Sequence, residues 1–211
     1  MIIAVDGPAA SGKGTISKKV AEMYGYAYLD TGLLYRAIAR DVTDRQGALE
    51  SEADAVLAAQ QLDFTSLDDD NLRLTGIGEA ASIVARHLGV RSTLLTLQQD
   101  FSKRPPGAVL DGRDIGTVVC PGADAKLYVT ADPEVRAERR FLELSRRGED
   151  VTRAGVLEMI LLRDARDTER ADSPMRPASD AMLLDTTKLD ISQSFDAAVE
   201  LIKRKIGLPG T

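Results

Sequence analysis

The chain has 211 residues, of which 28% are charged, with a formal net charge of −6, one cysteine and one histidine. This length suits one full α/β domain with its own core and room for an insertion, but not two complete domains. The negative charge argues against a general nucleic-acid-binding surface; the lone Cys120 rules out a disulfide framework or cysteine-rich zinc site, and the lone His87 leaves a histidine-based metal site or triad almost nothing to work with.

The first run, Ile2 to Val5, reads as a strand entered directly from Met1 without a basic leader or apolar signal segment, so a cytoplasmic protein with no membrane partner is expected. Directly after it come Gly7, Pro8, Ala9, Ala10, Ser11, Gly12, Lys13, Gly14 and Thr15, followed by a helix-like stretch from Ile16 to Met23. Glycines there let the backbone curl so that its N–H groups converge on phosphate oxygens. The helix N-terminus adds partial positive charge and Lys13 a full one. A nucleoside triphosphate is the expected ligand, and Gly14 between Lys13 and the hydroxyl of Thr15 marks a particular variant of this phosphate-binding loop.

Further β-prone runs at Ala27 to Leu29, Ala108 to Leu110, Lys126 to Val129 and Ala181 to Leu184 alternate with helix-compatible segments, an α/β rhythm that predicts a parallel sheet. The five runs lead into Asp6, Asp30, Asp111, Thr130 and Asp185, so polar groups gather where parallel strands end and ligands bind. After the second run, Asp30-Thr31-Gly32 precedes a helix carrying Arg36, and Gly32 suggests close approach of a ligand. The interval from Arg36 to Asp111 is too long for one crossover helix and reads as an inserted substrate-binding subdomain. Its turn-rich patch, Thr65 to Gly78, centres on Asp68-Asp69-Asp70-Asn71, which reads as a solvated turn rather than a metal site.

Asp111 sits where a carboxylate would hold Mg²⁺ opposite Thr15, although a turn former or helix cap is the plain alternative. Between Pro133 and Pro177 the chain holds ten arginines and no lysine. A planar, permanently ionised fork grips phosphate oxygens bidentately. Helices are expected over Pro133 to Leu144 and Val151 to Arg170, with Arg163, Arg166 and Arg170 along one face and Asp167 one turn from Arg163. A salt-bridged surface helix would show the same spacing.

The stretches GPAASGKGT (7–15), LDTGLLYRA (29–37), LDGRDIGTVVCP (110–121) and RDARDTER (163–170), in this order over most of the chain, resemble the bacterial cytidylate kinases, a (d)CMP branch of the nucleoside monophosphate kinases. The resemblance implies an α/β fold of the P-loop kind, a parallel five-stranded sheet flanked by helices. It further implies a single kinase domain over 1–211, with an NMP-binding insertion at about 42–104 and an arginine-rich lid at about 145–160. It implies phosphoryl transfer from ATP, with Mg²⁺, to CMP or dCMP in a monomeric protein. Carried over by motif, Arg36, Arg113 and Arg170 take the CMP phosphate; Thr31, Ser82, Arg91 and Asp114 take the nucleoside; Arg163 and Asp167 take the ribose. Lys13, Arg113, Arg163 and Arg170 would stabilise the phosphoryl group in flight, and Arg139 and Arg147 are candidates on the ATP side.

Physical chemistry supports the base assignment. Cytosine presents an amino donor beside ring acceptors, so a carboxylate and a guanidinium complement it, whereas uracil would turn an acceptor toward Asp114 at a cost of roughly 1 to 3 kcal/mol. In the family an Ile-Arg-Thr stretch precedes the helix supplying base contacts; here Thr75-Gly76-Ile77-Gly78-Glu79 stands instead in a shortened insertion, while Ala81-Ser82 and Val90-Arg91 keep their separation.

Two other readings remain at the sequence level. A GTPase switch would use Thr187-Lys188-Leu189-Asp190 as its guanine-specificity element, against which stand the missing hydroxyl after Lys13 and the lack of a strand-end Asp-x-x-Gly element at Asp111. A P-loop kinase for another small acceptor, such as an alcohol, would need a general base, for which Asp114 is available.

Overall fold

The five apolar runs become five strands, the central ones buried on both faces as a parallel sheet covered by helices requires. In the computed structural model, which describes residues 1–63, 67 and 70–207, these are β1 (Ile2–Asp6), β2 (Ala27–Asp30), β3 (Ala108–Gly112), β4 (Ala125–Thr130) and β5 (Met182–Asp185). They form one parallel sheet in the order β2-β3-β1-β4-β5. β1 is central, with Ile3 beside both Val109 and Ala125, and β4 pairs onward with β5 through Leu127 and Met182. Parallel pairing requires a crossover between neighbours and so brings every C-terminal strand end to the same edge.

Eight α-helices occur among the described residues: α1 (Lys13–Tyr24), α2 (Thr31–Asp44), α3 (Glu52–Gln60), α4 (Thr75–Val84), α5 (Leu88–Ser102), α6 (Pro133–Arg146), α7 (Arg153–Thr168) and α8 (Ile191–Ile206). The chain divides into two compact units, one of Met1–Leu29 with the chain from Asp100 onward, the other of Asp30–Gln99. None of the described helices is long and apolar enough to cross a membrane.

In the first unit Ile3, Val5, Val109, Leu127 and Val129 of the sheet close over Ile16 and Val20 of α1 and Ala198 and Ile202 of α8. A second cluster joins α6 and α7 through Ala137, Leu144, Val156 and Ile160, and Ala10 of the phosphate loop packs against it. Both helices start with side-chain caps, Asp132 accepting from Glu134 N and Thr152 from Gly155 N. α7 ends at Thr168, short of the expected Arg170. The chain turns back there: Met175 N donates to the Asp167 carbonyl at 2.8 Å, so Arg170 lies in the segment after the helix rather than on its face.

The second unit is helical throughout its assigned elements. Leu34, Ile38 and Val42 of α2, Leu72, Val84 of α4 and Leu94 of α5 are buried almost completely. Thr75 to Glu79, the stretch where the family has its Ile-Arg-Thr, forms the first half of α4, the helix that also bears Ser82. His87 bonds through Nε2 to the Leu49 carbonyl at 2.8 Å, a structural role. Of the acidic patch, Asp68 and Asp69 lie outside the described residues, as do Thr65 and Ser66; Asp70 opens a short 3₁₀ turn, Asp70–Arg73.

After β3 the chain makes a single π-helical turn, Ile115–Val119, closed by Cys120 N donating to the Ile115 carbonyl at 2.7 Å. Such turns are uncommon and cluster at functional sites. Asp6, at the end of β1, accepts hydrogen bonds from the N–H groups of Ile115 and Gly116, each at 2.7 Å. Burial raises its carboxyl from an ordinary 3.8 to about 6, against the two N–H bonds; Asp114 adds to the rise and Arg113 opposes it. Between pH 3.8 and about 6 the folded protein therefore takes up a proton that the unfolded chain does not. The stability tied to this group is fully present below that window and is lost as pH rises through it, on the order of 3 kcal/mol. Urea unfolding across this range is expected to show the wild type losing stability relative to Asp6→Asn as pH rises, with the Asp6 carboxyl carbon titrating near 6 by NMR.

Candidate active site

The phosphate loop owes its path to two glycines. At Gly7, φ is +146° and a Cβ would lie 2.0 Å from the Val129 carbonyl oxygen, so no side chain fits where β1 turns past β4. Gly12, at φ +89°, is the N-cap of α1 and offers no side chain to occupy the first-turn N–H groups; no acidic residue lies in that turn either. The helix therefore opens with donors and partial positive charge directed at whatever the loop encloses. Lys13 is buried, and its ammonium donates back to the Pro8 carbonyl at 3.3 Å, keeping the cation within the loop. Ser11 Oγ is buried with no hydrogen-bond partner, and the Ser11 carbonyl is held by Thr186 Oγ1 at 3.0 Å.

Arg136 of α6 secures the other side of the loop. It is buried, donates to the Ala131 carbonyl at 2.9 Å and the Ala9 carbonyl at 3.2 Å, and pairs with Asp164 of α7 at 2.7 Å. One guanidinium thus ties α6, α7 and the phosphate loop together. Periodicity marks Arg136 only as one arginine among ten; its burial was the missing signal.

Asp111 is buried at the end of β3, beside the start of α1: a Cβ on Gly14 would lie 3.7 Å from its Oδ2. Tyr28 of β2 donates to that same Oδ2 at 2.7 Å, orienting the carboxylate, a contact between strands that no local pattern announces. Thr15 lies in the first turn of α1 and is exposed. No group of three or more His, Cys, Asp or Glu side chains among the described residues could hold a metal. A single carboxylate and a hydroxyl beside a phosphate loop fit Mg²⁺, which keeps several waters and takes its other ligands from substrate phosphates.

Arg113, on the turn after β3, donates through Nε to Asp167 Oδ2 of α7 at 2.8 Å, and Arg163 Nε lies 3.9 Å from the same oxygen. Burial alone would push the Asp167 carboxyl up, but Arg113, Arg163 and Arg170 together hold it below its usual range. Arg163 is pushed the other way, down to about 10, by burial and the charge of Arg113, with Asp167 only partly offsetting them. Its Nε has no hydrogen-bond partner. A guanidinium in that state gains from an added anion. Arg170 donates to the Ser173 carbonyl at 3.1 Å, which fixes its segment beyond the helix end.

The two arginines expected on the ATP side, Arg139 and Arg147, have other neighbours. Arg139 donates to the Thr186 hydroxyl at 2.9 Å and the Thr186 carbonyl at 2.7 Å, just after β5, and its pKa is lowered by burial. Arg147 caps the end of α6, 3.6 Å from Glu143. Arg140, one position beyond Arg139, is the one whose charge bears on Arg163. A step of one residue turns a helix by about 100°, which is why composition could locate the arginine-rich helix without choosing the face.

In the second unit Thr31 opens α2 and is buried, and Ser82 on α4 is buried with its Oγ unpartnered. Arg91 of α5 is buried and donates to the Tyr35 hydroxyl at 3.4 Å. Arg36 donates to the Leu72 carbonyl at 2.7 Å, and Gly78 leaves it room: a Cβ there would lie 2.9 Å from the guanidinium. The nucleoside candidates Thr31, Ser82 and Arg91 thus belong to one unit, whereas Asp114, buried after β3, belongs to the other.

Asp190, the carboxylate on which a guanine-reading element would depend, is instead the N-cap of α8. It accepts from Gln193 N at 2.8 Å, while the Gln193 side chain accepts from its own N–H at 3.0 Å. The apparent motif is a helix start.

The chain is similar to known proteins along nearly its whole length. A curated cytidylate kinase of Xanthobacter autotrophicus is 57% identical over 205 residues, covering 97% of this chain and 98% of its own. That of Azorhizobium caulinodans is 56% identical, covering 98% and 100%. A solved structure of an uncharacterized protein from Eubacterium ventriosum aligns over 96% of this chain and 98% of its own with a TM-score of 0.56 at 15% identity, a likeness of fold. The family model described as cytidylate kinase matches residues 3–204, and with it the phosphate loop, the turn after β3 and the arginines of α7: the chain belongs to the cytidylate kinase family.

Proposed function

We infer that this chain transfers the γ-phosphoryl group of ATP to CMP or dCMP, giving ADP and CDP or dCDP. The observation that carries this reading is the assembly in one unit of an uncapped phosphate loop with its lysine and a buried Arg113–Asp167–Arg163 cluster, in a chain of the cytidylate kinase family. The proposal takes a free nucleotide as acceptor, since a net charge of −6 does not suit a nucleic-acid polymer.

The acceptor's phosphate already carries a nucleophilic oxygen, so no general base is required, and catalysis reduces to alignment, exclusion of water and stabilisation of charge. In our proposal the loop from Gly7 to Thr15 cradles the ATP phosphates while Lys13 neutralises the oxygens near the bond that breaks. Mg²⁺, held by Thr15 and Asp111, supplies further positive charge to the donor phosphates. Arg113, Arg163 and Arg170 stabilise the transferring group, with Arg36 and Arg113 also gripping the acceptor phosphate. Asp167 keeps the guanidinium groups at their posts and meets the ribose together with Arg163. Asp114 accepts from the cytosine amino group, and Thr31, Ser82 and Arg91 complete the contacts to the nucleoside. The unpartnered hydroxyl of Ser82 and the unpartnered Nε of Arg163 are consistent with these roles, because buried polar atoms without partners are uncommon in folded proteins. The segment at about 145–160 is proposed to act as a lid, and Arg139 and Arg147 to work on the ATP side.

The direct test is ADP formation with ATP and Mg²⁺, comparing CMP, dCMP, UMP and AMP with a control lacking acceptor. Fast turnover with CMP and dCMP is expected, with UMP slower by about tenfold to a hundredfold; acceptor-independent hydrolysis or preference for another acceptor would refute the assignment. Arg170→Ala is expected to lower kcat/KM for CMP by about a thousandfold, whereas Arg176→Ala, at an exposed position, stays close to wild type. Equal small effects would remove Arg170 from the site. Tyr28→Phe removes the hydroxyl that orients the Asp111 carboxylate and is expected to raise the Mg²⁺ concentration for half-maximal rate about tenfold or more, read from a Mg²⁺ titration at saturating nucleotides.

A further inference from the structure

Arg136 and Thr186 have no part in the transfer described above, yet both grip the backbone of the phosphate loop. Arg136, 3% exposed, spreads its fork over separate acceptors: Nε donates to the Ala131 carbonyl at 2.9 Å, one terminal nitrogen donates to the Ala9 carbonyl at 3.2 Å, and the other pairs with Asp164 at 2.7 Å. Thr186, 1% exposed, accepts from Arg139 at 2.9 Å, so its own hydroxyl proton is directed elsewhere. Two carbonyls lie in range, Ser11 at 3.0 Å and Thr130 at 3.2 Å, and that of Thr130 already accepts the Thr186 N–H at 2.8 Å. The nearer Ser11 carbonyl therefore takes the proton. Arg136 and Arg139 lie three residues apart on α6, so one helix face supports both grips.

The two gripped carbonyls flank Ala10, whose φ of +58° is a left-handed conformation that a side chain rarely adopts. Such a backbone persists only where its surroundings over-determine it. Here the hydrogen bonds on either side do so, together with the packing of Ala10 against the α6–α7 cluster. A trans peptide points its carbonyl and the following N–H in opposite directions. With the Ala9 carbonyl turned to Arg136, the Ala10 N–H points away from that guanidinium; with the Ser11 carbonyl turned to Thr186, the Gly12 N–H points away from that hydroxyl.

We infer that Arg136 and Thr186 are positioning residues for the phosphoryl donor: by fixing the peptide planes on either side of Ala10, they aim the Ala10 and Gly12 N–H groups at the ATP phosphates before the nucleotide arrives. The inference rests on the reading that this loop takes ATP. A preset loop has little backbone freedom left to lose on binding, whereas a released one must be ordered by the nucleotide, at the expense of affinity.

Thr186→Val removes the proton and keeps the shape, while Thr186→Ser keeps the proton. The Kd of a non-hydrolysable ATP analogue is expected to rise about tenfold in Thr186→Val and to return to within about threefold of wild type in Thr186→Ser. Affinity for CMP, measured without ATP, should stay within about threefold in both. By NMR, the Gly12 amide proton is expected to move downfield on analogue binding in wild type and Thr186→Ser, and much less in Thr186→Val. Arg136→Lys keeps a charge beside Asp164 but gives up the fork, and the same loss is expected with the Ala10 amide as reporter. Each substitution decides the matter where the other does not fold. Wild-type analogue affinity in a folded variant overturns the role of that residue. Equal losses for the analogue and CMP, or a Thr186→Ser no better than Thr186→Val, would mark a packing defect and overturn the inference. Lys13→Ala separates the layers. If it weakens the analogue by about tenfold or more while Thr186→Val and Arg136→Lys match wild type, the positioning falls alone. If Lys13→Ala binds the analogue like wild type and the Gly12 amide of wild type does not respond to it, the reading of the loop as the ATP site falls, and the inference with it.

Discussion

Arg113, Arg163 and Arg170 are gathered close to one another in the interior, and their mutual repulsion is the constraint on which the first unit depends. Asp167 meets it. Its carboxylate lies 2.8 Å from Arg113 and 3.9 Å from Arg163, buried, and held ionised by three arginines against the cost of burial. The same contact joins the turn after β3 to α7, so electrostatic necessity also serves as tertiary structure. Arg163 is incompletely compensated: burial and Arg113 pull its pKa down to about 10 and its Nε stays unpartnered. A cluster left slightly short of negative charge is suited to receive a phosphate, and a cluster fully neutralised by carboxylates would not be.

Two further buried ties hold the phosphate loop relative to that cluster. Arg136 binds the Ala9 carbonyl on one side and Asp164, the residue after Arg163, on the other. Asp6 connects the strand before the loop to the turn that bears Arg113 and Asp114. The phosphate loop and the guanidinium cluster are thus linked through backbone carbonyls and amides, whose positions vary far less than those of long side chains. For a reaction whose catalysis is mostly alignment, that rigidity is functional.

Much of this was legible in the chain. The strands were read within a few residues, because a parallel sheet whose central strands are buried on both faces leaves compact apolar runs between helical segments. GPAASGKGT could be read as a phosphate loop because its chemistry is local: backbone amides, a lysine and a helix start, all within nine consecutive residues. Arginine density likewise located α6 and α7. It could not distinguish Arg139, bonded to Thr186, from Arg140, whose charge reaches Arg163, nor Arg136, which is wholly interior. The helix end at Thr168 escaped for a related reason: its cause is a hydrogen bond from Met175, seven residues on. The Thr-Lys-x-Asp motif misleads in the opposite way, because aspartate followed three residues later by glutamine also begins a helix.

What the sequence determined alone is therefore the short-range chemistry: the alternation that makes an α/β sheet, the phosphate loop, the types of residue available to phosphate and base, and the family to which these stretches point. Only the tertiary structure decided which groups each buried carboxylate faces. Asp6, Asp111, Asp114 and Asp167 are all buried aspartates near strand ends or on α7, indistinguishable by residue type. Their roles diverge because Asp6 faces two backbone amides, Asp111 a tyrosine hydroxyl and Asp167 guanidinium groups, all from residues more than fifty positions away except Arg163 and Arg170. A carboxylate's function follows from the field around it, and that field comes into being only when distant segments pack together.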